Sequence, residues 1–293
     1  MNKALLLGYG YVARRLAPLL RAAGWSIRGT VRRPAQTDAL AADRVAPCLW
    51  TSDGLDESAF DGAAALLIST PPAEEGCPAY GAAREAIVER AREISWIGYL
   101  STNGVYGDYG GAVVTERSVL RATSPRARNR IAAEAQWAAH ARALDIPLVI
   151  FRLPGIYGPG RSALDTVREG RAQRIVKKGQ VFSRAHVDDI AAAIFRSLAD
   201  PSTGDLFNIA DDEPAPPQDV IEYACDLLGV APPPLVAIED ALLSEMARSF
   251  YADNKRVSNA LMKARLLPTL RYPTYREGLR AILEEERATR IRD

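Results

Sequence analysis

The sequence predicts an α/β fold with a doubly wound parallel sheet and a smaller C-terminal lobe. A strand at residues 3–7, a glycine turn at 8–13 and a helix at 14–23 follow one another directly and end at Gly24. Strands and helices then alternate to about residue 155, a pattern typical of a parallel sheet with helices on both faces. Beyond residue 155 prolines become frequent and the alternation loosens. We therefore expect a nucleotide-binding domain at 1–155 and mainly a smaller lobe at 156–293, with a segment near 180–210 returning to the first domain.

The alternating segments place the candidate ligand-binding residues at one edge of the sheet. A second strand lies within 25–31, and further strands and helices are expected at 45–50, 63–69, about 80–93, 96–100, about 125–144 and 147–151. In such sheets ligands bind beyond the carboxyl ends of the strands. The residues that fall there are Gly8, Thr70, Pro71, Ser101, Thr102 and Pro154.

The first turn matches the G-x-G-x-x-G/A pattern of dinucleotide-binding proteins. Gly8 permits a tight turn, and Gly10 lets backbone N–H groups approach a pyrophosphate at a helix N-terminus. Ala13 is small enough for close packing of the helix on the strand. We therefore predict a dinucleotide held by Gly8, Tyr9, Gly10, Tyr11 and Val12. The alternative is an ordinary strand-to-helix turn.

The end of the second strand indicates which dinucleotide is bound. NAD sites usually carry an acid there that accepts a hydrogen bond from the ribose 2′-hydroxyl. Residues 25–34 contain no acid, and Arg32 and Arg33 follow the strand. A guanidinium can form paired hydrogen bonds to a 2′-phosphate. The sequence predicts NADP rather than NAD, unless the two arginines only form a solvated turn.

Amino-acid composition and net charge disfavour several kinds of partner and cofactor. The 293 residues are 48% hydrophobic with a net charge of +1, which disfavours partners such as nucleic acid or a membrane surface. Three cysteines without C-x-x-C spacing favour a reducing cytoplasm, and the sequence has no apolar run of about twenty residues. With two histidines and no Cys/His cluster, we expect no metal.

Three later segments resemble a known family. They are LSTNGVYGD at 100–108, FRLPGIYGPG at 151–160 and HVDDI at 186–190. These segments are similar to those of the extended short-chain dehydrogenases, which include the sugar-nucleotide epimerases and dehydratases. The resemblance implies a Rossmann fold, NAD(P) binding, oxidoreductase or epimerase/dehydratase chemistry and a possible homodimer.

The resemblance fails at the residues that carry the family's chemistry. Thr102 matches the family's Ser/Thr, which is followed about twenty-four residues later by a Tyr-x-x-x-Lys pair. Aligning Glu134 with the family's helix acid puts Arg126 at the tyrosine and Arg130 at the lysine. Arginine cannot exchange a proton at neutral pH. We therefore assign Thr102, Arg126 and Arg130 as catalytic candidates, with Arg130 also near the cofactor ribose, unless both arginines are solvated.

Other side chains could replace the missing tyrosine. Three tyrosines lie near the cleft edge by sequence, namely Tyr106, Tyr109 and Tyr157. Of these, Tyr106 is expected to be a packing residue. His186 is expected to brace its loop with Asp188. The segment 255–259 could contact an anionic substrate, but a solvated helix start is the expected structure.

Two functions follow from these observations. The first is an NADP-dependent oxidoreductase or epimerase-like enzyme of atypical active site, acting on a small polar or sugar-like substrate. The second is a dinucleotide-binding regulator or redox sensor without turnover, which the missing Tyr and Lys favour.

Overall fold

The computed structural model describes residues 2–52 and 54–292. The strands are β1 (Lys3–Leu7), β2 (Ser26–Val31), β3 (Ala46–Thr51), β4 (Gly54–Leu55), β5 (Ala63–Ile68), β6 (Trp96–Thr102), β7 (Val113–Val114), β8 (Leu148–Leu153), β9 (Gly155–Tyr157), β10 (Arg174–Val176), β11 (Arg184–His186), β12 (Leu206–Asn208), β13 (Leu235–Ala237) and β14 (Arg256–Val257). The helices are α1 (Tyr11–Ala22), α2 (Thr37–Ala42), α3 (Pro78–Glu89), α4 (Pro125–Ala143), α5 (Ala163–Arg168), α6 (Val187–Ala199), α7 (Pro217–Leu228), α8 (Glu245–Ala252), α9 (Ala260–Arg265) and α10 (Tyr275–Arg292).

The central sheet is doubly wound. Its strand order is β12-β8-β6-β5-β1-β2-β3-β4, and every pair is parallel except β3 with β4. The chain runs outward from β1 through β2 and β3, then restarts at β5 on the other side of β1. The strand order therefore reverses between β1 and β5, where folds of this kind bind their ligands. The predicted fold class is confirmed.

The side chains of β1 point alternately to the two faces of the sheet and contribute to the core on each face. Ala4 and Leu6 lie in the core cluster beneath α1 and α6, whereas Leu5 and Leu7 lie in the cluster beneath α3 and α4. Successive side chains of a strand point to opposite faces, so a strand buried on both faces is apolar throughout.

Several element boundaries differ from the predicted ones. Helix α1 begins at Tyr11, three residues earlier than expected, because Gly10 is already the extended N-cap residue. Helix α3 begins at Pro78, since proline is favoured in the first turn, where its missing N–H is no loss. Strands β6 and β8 continue to Thr102 and Leu153. The two extensions bring the carboxyl ends of β6 and β8 closer to the cleft.

Short parallel strand pairs tie the later segments to one another. Strand β14 pairs with β7, β11 with β9 and β13 with β10. Strand β12 joins the edge of the large sheet, and α6 packs against α1. Arg15 of α1 donates two hydrogen bonds to Asp188 of α6, at 2.6 and 2.9 Å. The helix that begins at the glycine turn is thereby fixed to a segment more than 170 residues away.

A buried ion pair joins α4 to the sheet. Arg152 of β8 donates to both carboxylate oxygens of Glu134, at 3.1 and 2.7 Å. The Ser101 hydroxyl also donates to Glu134, and Arg152 donates to the Tyr106 hydroxyl at 3.1 Å. Tyr106 in turn donates to Asn208 of β12 at 2.6 Å. The ion-pair side chains are only 6% and 7% exposed, so their geometry is held by packing as well as charge.

We predict that Glu134→Ala destabilises the fold by about 3–5 kcal/mol, because it leaves the Arg152 charge buried and unpaired. Glu169→Ala is the control, since its partner Arg171 is exposed and such a pair is worth about 1 kcal/mol or less. Urea unfolding of both variants measures the free energies. Similar losses in the two variants would contradict a special role for the buried pair.

Candidate functional site

The glycine turn at the end of β1 uses its own N–H groups internally and leads into the uncapped first turn of α1. Gly8 has φ +97°, and its N–H donates to the Thr30 hydroxyl at 2.7 Å. The Tyr9 N–H donates to the Thr30 carbonyl at 3.1 Å. Gly10 caps α1 without a side-chain hydrogen bond, and the first turn contains no acid. The helix start is therefore positive, as an anion-binding terminus requires.

Each glycine of the turn has a separate steric role. A Cβ on Gly8 would lie 2.7 Å from the Ser69 hydroxyl, so the loops after β1 and β5 are in close contact there. A Cβ on Gly10 would meet no atom within 4 Å. Gly10 thus faces open space, where a ligand could approach the backbone closely.

That open space is a cavity of about 680 Å³ at the carboxyl edge of the sheet. The first turn of α1, residues 10–13, forms one wall together with Ser69. The ends of β6 and β8 form the floor, with Ser101, Thr102 and Pro154 among the lining residues. The cavity therefore lies at the reversal of strand order between β1 and β5.

Several predicted cofactor residues lie outside this lining. The Tyr9 ring is 8% exposed, packs on the strand β2 backbone and donates its hydroxyl to Asp43 at 3.0 Å. Burial raises the pKa of Tyr9. The motif places the backbone of Tyr9 in the turn, but its side chain points into the core. Thr70 and Pro71 follow Ser69, which lines the cavity in their place.

Arg32 and Arg33 are exposed directly after β2. They lie beyond the lining of the cavity, on the side of β1 where the adenosine half of a dinucleotide would extend in this fold.

The strand ends supply one hydroxyl to the cavity floor. Thr102 accepts a hydrogen bond from the Gly104 N–H at 3.1 Å. That bond uses a lone pair of Oγ1, so the hydroxyl hydrogen can still be donated to a ligand. Ser101 donates to Glu134 and is 5% exposed, so its hydroxyl serves the buried network.

Both arginines at the family's Tyr and Lys positions line the cavity. Arg130 donates through Nη1 to the Tyr99 hydroxyl at 3.1 Å and to the Leu100 carbonyl at 2.9 Å. Its guanidinium also lies 5.6 Å from the centre of the Tyr99 ring. Arg126, one helical turn earlier, is exposed. The anchored arginine is thus Arg130, and Arg126 can move toward a ligand.

None of the three tyrosines considered from the sequence lines the cavity. Tyr106 is fully buried in the ion-pair network, Tyr109 donates to the Val119 carbonyl at 2.7 Å, and Tyr157 donates to the Thr274 carbonyl at 3.3 Å. As replacements for the missing tyrosine they are wrong, because each hydroxyl is directed elsewhere by packing.

His186 is structural in its contacts. Its Nδ1 accepts the Asp188 N–H at 3.2 Å at the start of α6, and the ring lies 3.9 Å from that of Tyr272. Burial lowers the pKa of His186 to about 4, so the imidazole is neutral at physiological pH.

The C-terminal wall of the cavity was missed by sequence reasoning. It is formed by residues from three later segments: Arg161, Val181, Phe182, Ser183, Arg184, Ala247, Phe250, Tyr251, Asp253 and Lys255. The interpretation of 255–259 as a solvated helix start is wrong at its first residue. Lys255 is 8% exposed, lines the cavity and donates to Asp253 at 3.2 Å, because the next two residues form β14.

The cavity carries an excess of positive charge. Four arginines and Lys255 line it, against the single acid Asp253. The arginines are Arg126, Arg130, Arg161 and Arg184, and within residues 2–52 and 54–292 none of them pairs with a carboxylate. A concave site with unpaired guanidinium groups attracts anions.

Comparison with known proteins finds a match to one family over part of the chain. Residues 81–210, less than half of the chain, match the model of the NAD dependent epimerase/dehydratase family. The resemblance stated from the sequence is confirmed, and this match spans the segments around Thr102, Arg130 and Arg152.

Two solved structures share the fold over almost the whole chain, and one further protein is similar in sequence. A functionally unknown conserved protein from Silicibacter pomeroyi DSS is 46% identical with a TM-score of 0.91, covering 97% of this chain and 99% of that one. The UDP-glucuronic acid 4-epimerase from Bacillus cereus, solved with NAD, is 16% identical with a TM-score of 0.75, covering 97% and 99%. Protein YeeZ of Escherichia coli (strain K12) is 29% identical over 256 residues, 80% of this chain and 86% of that protein.

Two further observations concern metal ligands and membrane-spanning helices. No group of three or more metal-ligating side chains of the His, Cys, Asp or Glu types occurs among the described residues. Within the same residues, no helix is both long and apolar enough to cross a membrane.

We predict that Gly10→Val abolishes dinucleotide binding while the fold survives. The new side chain would enter open space and hold a pyrophosphate away from the α1 amides. Gly81→Val is the control, since Gly81 also faces open space but lies on α3, away from the cavity. Calorimetric titration with NADP⁺ measures binding, and circular dichroism checks the fold. Normal binding by a folded Gly10→Val protein would place the dinucleotide elsewhere.

Proposed function

We propose that this protein binds NADP(H) along the glycine turn and acts as an oxidoreductase or epimerase-like enzyme on a small anionic substrate. The observation that carries the proposal is that one cavity joins the α1 N-terminus to Thr102, Arg130 and the cationic C-terminal wall. A cofactor and a second ligand could therefore meet in the same space.

The glycine turn fits a dinucleotide. The uncapped first turn of α1 can donate to a pyrophosphate, and Gly10 leaves the approach open. The related epimerase of Bacillus cereus was solved with NAD, which supports a nicotinamide cofactor here. When bound, a nicotinamide supplies or accepts a hydride, and the protein must then bind the substrate and handle the accompanying proton.

An anionic substrate is supported by the unpaired arginines. Arg130 and Arg184 are half-buried without a carboxylate partner among the described residues, which is unfavourable unless a ligand provides the missing charge. Arg126 is free to form a paired contact with a carboxylate or phosphate, and Thr102 can donate a hydrogen bond to a substrate oxygen. Arg130, anchored at the end of β6, is placed to bind the cofactor ribose or a phosphate.

A second function is supported by one observation. No Tyr-x-x-x-Lys pair stands on α4, so a dinucleotide-binding regulator or redox sensor without turnover would also explain the intact glycine turn. The size and charge of the C-terminal wall favour the enzyme, because a sensor of cofactor alone needs no second anion site. A cytoplasmic location and a homodimer stay predictions from the sequence.

We predict that NADP⁺ binds at least tenfold more tightly than NAD⁺, a difference of about 1.4 kcal/mol. Arg32 and Arg33 supply the charge-assisted hydrogen bonds to the 2′-phosphate. The Arg32→Ala, Arg33→Ala double variant should lose this preference, whereas Arg142→Ala, an exposed arginine at the far end of α4, should keep it. Calorimetric titration measures both affinities. Equal affinities in the unmodified protein would contradict the cofactor assignment.

We predict that Arg130→Ala weakens NADP⁺ binding by about 1–2 kcal/mol, the loss of a hydrogen bond from a charged group. Arg126→Ala should leave this affinity nearly unchanged, because its position addresses the substrate. Tyr99→Phe separates direct from indirect effects, since it removes a partner of Arg130 but keeps the guanidinium. Undiminished affinity in Arg130→Ala would refute the role of this arginine.

A further inference from the structure

The sequence contains a Tyr-x-x-x-Lys spacing away from α4, in the C-terminal wall. Tyr251 and Lys255 are four residues apart, and both line the cavity that holds Thr102 and Arg130. Helix α8 ends at Ala252, and Asp253 is extended with φ −103° and ψ 135°. The two side chains therefore do not stand one turn apart on a helix, and their roles must be derived from their own surroundings.

We propose that the Tyr251 hydroxyl is the proton donor of this site and serves the reduction of a carbonyl group on an anionic substrate. The proposal rests on the nicotinamide function proposed above and names the acid that the α4 arginines cannot supply.

The Tyr251 segment is fixed in place from both sides. Its carbonyl accepts a hydrogen bond from Lys177, and its ring packs edge-on to Phe182 with centroids 5.3 Å apart. Asn254 donates its N–H to Asp108 at 2.8 Å and its side-chain amide to the Gly179 carbonyl at 2.9 Å. A reacting group must be held in position to be effective, and these contacts hold this turn against two loops.

Tyr251 is the uncommitted phenol of the cavity. No hydrogen bond to its hydroxyl is found among the residues that the structure describes. Tyr11, which also lines the cavity, donates its hydroxyl to the Pro159 carbonyl at 3.0 Å. Asp253 is engaged by Lys255, and arginines do not exchange protons near neutral pH.

The charges around Tyr251 suit a proton donor. Burial raises the pKa of Tyr251, so the phenol stays protonated at neutral pH. The Arg184 guanidinium of β11 acts in the opposite direction on this pKa and would stabilise the phenolate after transfer. The surrounding segments also carry the charged groups Asp108, Lys177, Asp253 and Lys255.

The step is balanced as a carbonyl reduction. The carbonyl carbon takes up a hydride, that is, one hydrogen with two electrons, from reduced nicotinamide, and the Oη–H bond of Tyr251 breaks as its proton forms the new hydroxyl. The phenolate beside Arg184 is then reprotonated from water. The unpaired arginines bind the anionic group of the same substrate and so fix its carbonyl relative to Tyr251 and Thr102.

The test measures the pKa of the phenol at position 251 in the full-length protein with its cofactor bound. Difluorotyrosine, whose phenol titrates near neutral pH, is incorporated at position 251, and its pKa is followed by fluorine NMR with NADP⁺ or NADPH bound. The two cofactors differ by the positive charge of the nicotinamide ring. If that ring lies near Tyr251, the pKa should be lower with NADP⁺ by about 0.3 or more, as expected for a unit charge about 10 Å away in a water-like medium. The same label at Tyr109, outside the cavity, should titrate alike in both complexes.

The possible outcomes separate the two proposals. No binding of either cofactor, measured by calorimetry, overturns both. Binding with equal pKa values at position 251 overturns the role of Tyr251 and leaves the cofactor function standing. A pKa in the NADPH complex that lies about three units or more below that of free difluorotyrosine overturns the assignment as a donor, because the natural phenol, ordinarily near 10, would then be ionised at neutral pH before reduction.

Discussion

The ion pair between Arg152 and Glu134 holds together the part of the fold on which the cavity depends. It connects β8 to α4, and through Ser101 and Tyr106 it reaches the end of β6 and strand β12. The same helix carries Arg126 and Arg130, so the placement of this helix beside the cavity depends on the buried contact. A buried pair of this kind contributes little net stability, but loss of either partner is costly. The floor of the cavity is therefore rigid where a substrate oxygen would be placed.

Local patterns in the sequence were sufficient for the sheet and the glycine turn. The apolar run Lys3–Leu7 and the glycines at 8 and 10 determine the conformation of only a few neighbouring residues. Their structure can therefore be predicted from the local sequence. The cofactor preference inferred from the missing acid after β2 stays a prediction. The sequence did not reveal that the Thr30 hydroxyl would accept the hydrogen bond from the Gly8 N–H. The Tyr9 side chain could not be placed either, because its partner Asp43 is set by tertiary packing.

The C-terminal wall could not be predicted for a related reason. Lys255 enters the cavity because β14 pairs with β7, and because the Val257 N–H donates to the Ser183 hydroxyl at 3.0 Å. These contacts join residues that are more than 70 positions apart, and no periodicity within the segment signals them. The Tyr251–Lys255 spacing was visible in the sequence, yet spacing alone had no meaning until both residues were found to line the same cavity as Arg184. Placement, not residue type, gives this part of the site its chemistry.

The pairing of β7 with β14 also bears on how the chain is synthesised. Strand β7 (Val113–Val114) has its partner at Arg256 and Val257, so it stays unpaired while more than 140 further residues leave the ribosome. The α1 turn and the large sheet can fold early, as N-terminal parts of a chain generally do. The cavity wall carrying Tyr251 is synthesised after all of these elements. A nascent chain would thus expose an incomplete cavity until this segment is made, and fragments cut before residue 250 would lack the part of the wall formed by Phe250, Tyr251, Asp253 and Lys255.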